Sequence, residues 1–134
     1  MDEAARILAV DDDPRVRRFV SRALREAGYA VTAVKDAESA IAQLLAARPD
    51  LFLLDINLPG MNGLVLTQKL QEQRGTRQIP VVILSVRTDP RDKVAAYASG
   101  AVTYLEKPFK KRDLLDAVRL ALRLSPRRAR PAKP

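Results

Sequence analysis

Leu51-Phe52-Leu53-Leu54-Asp55-Ile56-Asn57-Leu58-Pro59-Gly60-Met61-Asn62-Gly63 passes from an apolar run into a loop. Four large apolar residues in a row, entered through Pro49-Asp50, read as a short strand buried on both faces. That strand ends on the carboxylate of Asp55. Pro59-Gly60 and Asn62-Gly63 are turn dipeptides, so a loop must follow. Open α/β sheets keep their chemistry at the carboxyl ends of buried strands. A lone Asp at such an end is also an ordinary turn starter, so its meaning depends on what else reaches the same edge.

Outward from this strand, the same pattern recurs. Arg6 to Val10 is a first apolar strand, and it too ends in carboxylates, Asp11-Asp12-Asp13. Asp13 suits an N-cap and Pro14 a first helical position. Val16, Phe19, Val20, Ala23, Leu24 and Ala27 then recur at helical spacing with arginines on the other face, and Gly28 closes the helix. Tyr29 to Val34 reads as a second strand. Asp36 caps a second helix, Ala37 to Ala47, whose expected buried stripe is Ala40, Ile41, Leu44 and Leu45. Beyond the loop, Leu64 to about Arg74 gives a third helix with Leu66 and Leu70 inward. Val81 to Ser85 is a fourth strand. Asp89-Pro90 opens a fourth helix carrying Val94, Ala95 and Ala98, and Val102 to Leu105 is a fifth strand. After Lys107-Pro108-Phe109, a last helix runs from Lys111 to about Leu124 with Leu114, Leu115, Val118 and Leu122 apolar. Strand and helix alternate throughout with short connections, which argues for one parallel sheet with helices on both faces.

Composition removes several kinds of chemistry. The 134 residues suit one domain with a full core. There is no cysteine and no histidine, which excludes disulfides, thiol nucleophiles, His general bases and the usual zinc sites. Any metal must be a hard cation held by oxygen. No apolar run approaches the length of a membrane span, and the acidic Met1-Asp2-Glu3 start is not a secretory signal, so the expected location is cytoplasmic. The net charge is +8, but four of the 24 basic residues lie in residues 125–134, which contain no acid; 20 basic residues remain against 16 acidic ones. Aromatics are only 4%, which gives no stacking platform for nucleic acid. Residues 1–124 read as the domain and 125–134 as a solvated tail or linker start, too short for a DNA-binding module.

In a parallel sheet all carboxyl ends share one edge. The strands deliver Asp11 and Asp12, Asp55, Ser85 and, just past the last strand, Lys107 to it. Two carboxylates about 4 Å apart repel by roughly 4 kcal/mol at an effective dielectric of 20. Three in one cleft need protonation or a cation, and a divalent ion together with Lys107 balances them. Oxygen-only ligands at a partly hydrated site suit Mg2+. An edge with three carboxylates does not suit the phosphate of a flavin mononucleotide, and no glycine-rich phosphate loop is present. A carboxylate could instead attack a phosphoryl group that the cation has neutralised.

Four segments then resemble a known family, the receiver (response-regulator) domains of two-component signalling, of the chemotaxis-regulator type. They are Ile7-Leu8-Ala9-Val10-Asp11-Asp12-Asp13-Pro14, Leu53 through Gly63, Val82-Ile83-Leu84-Ser85 and Tyr104-Leu105-Glu106-Lys107-Pro108-Phe109. The resemblance spans about Arg6 to Leu124 and implies a flavodoxin-like, doubly wound, five-stranded parallel sheet in order 2-1-3-4-5 with five helices. It implies Asp55 as phospho-acceptor, taking its phosphoryl group from a histidine kinase or histidine phosphotransfer protein. It implies Mg2+, or Mn2+ in its place, bound by Asp12, Asp55 and the backbone carbonyl of Asn57, with Asp11 acting through a bound water. Lys107, Ser85 and Tyr104 are implied as phosphoryl-binding and switch residues, and Pro108 as following a cis peptide bond. The output partner is expected on the face of helix four, strand five and helix five, roughly Pro90 to Leu124, with no membrane partner and no nucleic acid expected through the domain itself. Arg127, Arg128, Arg130 and Lys133 leave nucleic-acid binding by the tail as the less favoured alternative to a solvated linker. Self-directed phosphoryl chemistry is implied, not turnover of an outside substrate.

Two other readings use the same residues. One is a receiver-like fold serving only as a constitutive binding module, which loss of Asp12, Asp55 or Lys107 would have favoured. The other is a phosphatase with an Asp nucleophile, which usually wants a second acid two residues on, where this chain has Asn57. Val86 stands where many members have Ala or Gly and is expected to narrow access to Asp55. Arg87 and Asn57 flank the expected route of hydrolytic water, and Glu106 is a less usual polar neighbour of Lys107.

Overall fold

The computed structural model describes residues 4–86 and 90–125. Strand β1 (Arg6–Val10) is followed by helix α1 (Pro14–Glu26), β2 (Ala30–Val34), α2 (Ala37–Ala46), β3 (Leu51–Asp55) and α3 (Gly63–Glu72). Then come β4 (Val81–Ser85), α4 (Pro90–Ala98), β5 (Thr103–Glu106) and α5 (Lys111–Leu124). All five strands are parallel, in the order β2-β1-β3-β4-β5 that the resemblance implied. Residues 126–134, most of the expected tail, lie outside the described residues, as do Arg87 and Asp89. Ser125, read as the first tail residue, is buried, and its hydroxyl donates to the Gln78 carbonyl at 3.5 Å.

Side chains alternate across the three central strands and divide the core in two. Ile7 and Ala9, Leu51 and Leu53, and Val82 and Leu84 face one cluster, which α1 and α5 cover with Val20, Leu24, Leu114 and Val118. Leu8 and Val10, Phe52 and Leu54, and Val81 and Ile83 face the other, covered from α2, α3 and α4 by Ala40, Leu66, Leu70 and Ala96. Burial on both sides is why these strands are continuous apolar runs rather than alternating ones.

Local signals set the ends of the helices. Asp13 accepts from the Arg15 N–H at 2.9 Å and Asp36 from the Ser39 N–H at 2.8 Å, each satisfying a donor that the first helical turn leaves free. At the other end of α1, Gly28 takes a φ of 99°, so that Gly28 N–H reaches Arg25 O and Tyr29 N–H reaches Leu24 O, both at 3.0 Å. Only glycine enters this left-handed turn without steric cost.

Three apolar stripes differ from the sequence reading. On α2, Ala37 and Ala40 are buried and Leu44 partly so, but Ile41 is exposed and Leu45 is 88% exposed. On α4 the buried residue is Ala96, while Val94 and Ala98 face outward. On α1 Phe19 is exposed, as is Ala27 just past the helix end, and Phe19 leans on Phe109 with ring centroids 6.0 Å apart. Helices lying on a sheet bury a narrow line of contact, so residues one step round the helix stay wet although their apolar spacing looks the same. Strand β5 lies one residue later than expected. It is an edge strand, half-buried throughout, and its alternation is correspondingly weak.

Candidate functional site

The carboxyl ends of β1, β3, β4 and β5 converge because the strands are parallel and in near register. Extended to the strand ends, the alternation sorts the polar residues by face. Asp11 continues Ile7 and Ala9, Asp55 continues Leu51 and Leu53, and Lys107 continues Leu105, all on the α1–α5 side. Ser85 continues Val81 and Ile83, and Tyr104 packs with the α2–α4 cluster. An acidic cleft with its lysine thus lies on one side and a serine–tyrosine pair on the other.

Carboxylate oxygens of Asp11, Asp12 and Asp55 lie within 4.8 Å of one another. Asp11 and Asp55 are buried and Asp12 is exposed, so the cluster opens to solvent on one side only. Lys107 Nζ is 2.5 Å from Asp11 Oδ2 and 3.4 Å from Asp55 Oδ1. Asp11 Oδ1 accepts the Asp13 N–H at 2.9 Å, whereas the buried Oδ2 has the ion pair but no aligned hydrogen bond. Burial and the neighbouring Asp11 charge push the Asp55 carboxyl up to about 6, against the pull of Lys107 and the Asn57 amide. Burial also works against the Lys107 charge, but the close Asp11 and Asp55 carboxylates outweigh it and hold the ammonium above its usual pKa. One ammonium, paired with Asp11 and Asp55, thus stands against a cluster of three carboxylates, which leaves a concentration of negative oxygen suited to a hard divalent cation.

Backbone contacts hold these groups in place. Lys107 N–H donates to Ser85 O at 2.7 Å, which ties the end of β5 to that of β4, and the Lys107–Pro108 bond is cis. Gly63 N–H donates to Ile56 O at 2.7 Å, bringing the start of α3 against the end of β3. A Cβ at Gly63 would collide with the Asp55 carbonyl oxygen. The glycine is therefore required by close approach, not by the turn that Asn62-Gly63 suggested. Asn62 instead caps α3 through the Leu64 N–H at 2.6 Å.

Ser85 is fully buried, Tyr104 is half-buried with the Lys93 ammonium 5.9 Å from its ring centroid, and Asn57 is exposed. Glu106 pairs with Lys93 at 3.4 Å, linking β5 to α4. Val86 is 60% exposed and walls an open groove of about 460 Å³ beside Lys107, with Val16, Phe19, Pro108 and Phe109. One residue near the site was read only as part of a polar helix face: Arg17 donates to the Asp11 carbonyl at 2.8 Å. Nothing in the spacing of five arginines on α1 distinguishes it.

A doubly wound sheet with an acidic, lysine-bearing cleft at its carboxyl edge defines a class of phosphoryl-handling α/β domain. Comparison with known proteins makes the class specific. Residues 7–119 match the family of response regulator receiver domains. The DNA-binding response regulator MtrA of Mycolicibacterium smegmatis is 41% identical over 118 residues, which are 88% of this chain and 50% of that protein. The structure of a putative response regulator from Chloroflexus aurantiacus aligns with a TM-score of 0.86 at 32% identity, over 90% of this chain and 98% of the other. Chemotaxis response regulator CheY4 of Vibrio cholerae aligns with a TM-score of 0.83 at 34% identity, over 88% and 98%. The chain belongs to the response regulator receiver domain family and is a receiver of two-component signal transduction. It spans about half the length of the curated relatives it matches. No helix among the described residues is long and apolar enough to cross a membrane.

Proposed function

We propose that Asp55 is the phospho-acceptor of a Mg2+-dependent switch, charged by the phosphohistidine of a histidine kinase or histidine phosphotransfer protein. The observation that carries this reading is the buried Asp55 carboxylate, 3.4 Å from Lys107 and clustered with Asp11 and Asp12. Asp12, Asp55 and the Asn57 carbonyl would hold the cation, and Asp11 would orient a water on it; Mn2+ has the same oxygen preference. When bound, the cation neutralises phosphoryl oxygens so that an anionic nucleophile can approach.

An Asp55 oxygen attacks phosphorus, the phosphorus–nitrogen bond breaks, and the imidazole leaves with the electron pair. Lys107 moves from Asp11 toward the new phosphoryl oxygens, and the Ser85 hydroxyl donates to another. The acyl phosphate carries more charge and more acceptor oxygens than the carboxylate it replaces, so both loops are drawn inward. Displacement of Ser85 opens space on the face shared with Tyr104, and rotation of that ring alters the surface of α4, β5 and α5. The output partner would dock there, where Val94, Tyr97, Leu120 and Leu124 are exposed. Hydrolysis of the aspartyl phosphate by the domain itself returns the switch to rest.

Intact-mass measurement after incubation with acetyl phosphate tests the reading. One phosphoryl adduct that needs Mg2+ and is absent from Asp55→Asn is the expected result. Folded wild-type protein that forms no adduct with acetyl phosphate or with a phosphorylated histidine donor would overturn it and favour constitutive binding.

A further inference from the structure

Asp11 is held at four points. Its N–H donates to Val34 O at 3.1 Å, and its Oδ1 accepts the Asp13 N–H at 2.9 Å. Its Oδ2 pairs with Lys107, and its carbonyl accepts from Arg17 Nη1 at 2.8 Å. Two of these four contacts come from α1 or its cap, one turn or less from the acidic run. Arg17 itself is half-buried, unlike the exposed Arg15, Arg18, Arg22 and Arg25 of the same helix. Its contact is a charge-assisted hydrogen bond to a carbonyl just past the last residue of β1, where the strand ladder ends. Any rotation of the Asp11–Asp12 backbone that re-aims the two carboxylates must break it.

We propose that Arg17 is a positioning residue for the acidic site. By holding the Asp11 carbonyl, it fixes the turn between β1 and α1 so that Asp11 and Asp12 converge with Asp55 on one divalent cation. Arg17 touches neither the cation nor a phosphoryl group; it acts on the direction of the carboxylates. The inference rests on the Mg2+ reading of the site. It also carries a sign. A nearby positive charge acting only through the field repels Mg2+, so neutralising it would tighten binding. A positive charge that positions the ligands has the opposite effect, and its removal weakens binding.

The experiment is titration of the full chain with Mg2+, followed by calorimetry or amide chemical shifts, for wild type, Arg17→Met, Arg17→Lys and the exposed control Arg18→Met. Thermal unfolding of each metal-free protein is recorded alongside. Loss of a group that orients metal ligands typically weakens binding about 10- to 100-fold, so Arg17→Met is expected to bind Mg2+ at least about tenfold more weakly. Arg17→Lys, which keeps the charge but not the planar fork, should recover part of the loss, and Arg18→Met should match wild type. An unchanged or tighter constant in Arg17→Met overturns the inference, even where its unfolding temperature falls, because that pattern marks a stabilising role alone. Should Arg17→Met fail to fold, Arg17→Lys decides: about threefold weaker binding supports positioning, and a wild-type constant overturns it. Wild-type protein without saturable Mg2+ binding would overturn the metal reading and the inference together, whereas wild-type binding with an indifferent Arg17→Met defeats the inference alone.

Discussion

Lys107 lies closer to Asp11, at 2.5 Å, than to the expected acceptor Asp55, at 3.4 Å. Without a cation bound, the lysine is the main counter-charge for a carboxylate that is only 2% exposed. Replacing Lys107 with Met keeps its bulk and removes the charge, leaving Asp11 Oδ2 buried with no cation beside it. Breaking a buried pair from one side costs about 3–5 kcal/mol, and solvent screening at the open mouth of this site reduces the expected loss to about 2–3 kcal/mol. Urea unfolding at neutral pH without Mg2+ measures it. Millimolar Mg2+ should return part of the loss, because it supplies the missing positive charge. A variant as stable as wild type in metal-free buffer would show that the pair contributes nothing.

Asp55 makes the opposite prediction for pH. Its carboxyl is pushed up from 3.8 to about 6 in the folded protein, chiefly by burial and by Asp11. A carboxyl with a higher pKa folded than unfolded adds stability that is complete below its unfolded value and lost as pH rises through its folded one. Metal-free protein should therefore lose about 1–2 kcal/mol of this contribution between about pH 4 and pH 6, discounted for the open side of the cleft. Asp55→Asn should flatten that part of the profile and be the more stable protein at neutral pH without Mg2+. The difference should shrink when Mg2+ is added, since the cation stabilises only the ionised carboxylate. Parallel unfolding curves for the two proteins across this pH range would refute the shift.

Gly63 is a steric test of how the acceptor is positioned. A methyl group there would run into the backbone oxygen of Asp55, which no rotamer change can relieve. Gly63→Ala should push the start of α3 away from β3 and cost about 2–3 kcal/mol, measured by urea unfolding. It should also slow formation of the acetyl-phosphate adduct, because the strain falls on the strand end that carries the proposed acceptor, Asp55. Gly75→Ala is the control: nothing lies near its Cβ position, and wild-type behaviour is expected.

The strands and their polar ends were legible because each rule involved is local. Buried parallel strands are written as apolar runs, and the residue after each run falls at one edge of the sheet whatever the details of packing. Asp11, Asp12, Asp55, Ser85 and Lys107 could be gathered in this way before any geometry was known. Strand order entered through resemblance, since periodicity does not say which strands are neighbours. Arg17 was illegible because its distinction from Arg18 is a direction, not a residue type. Glu106 stands out in the sequence only as a less usual polar neighbour of Lys107; its pairing with Lys93 is set by how α4 lies on β5. The helical stripes failed where several apolar residues compete for one narrow contact, and composition cannot decide which of them wins.

The α2 stripe turns that failure into a measurement. Ile41 and Leu45 have the same apolar character and helical spacing as Leu66 and Leu70 on α3, so the sequence treats the two pairs alike. The structure does not: Leu45 is 88% exposed, whereas Leu66 is 2% exposed within the cluster between the sheet and α3. Burying a leucine side chain contributes about 1.5–3 kcal/mol, and its truncation in a packed core adds the cost of the cavity left behind. Leu66→Ala should therefore lose about 2–4 kcal/mol, and Leu45→Gln should stay within about 0.5 kcal/mol of wild type. Both are read by urea unfolding of the same chain. A loss above about 1.5 kcal/mol at Leu45 would mean that something covers α2 in solution, and dilution would then show whether the cover is a second copy of the chain.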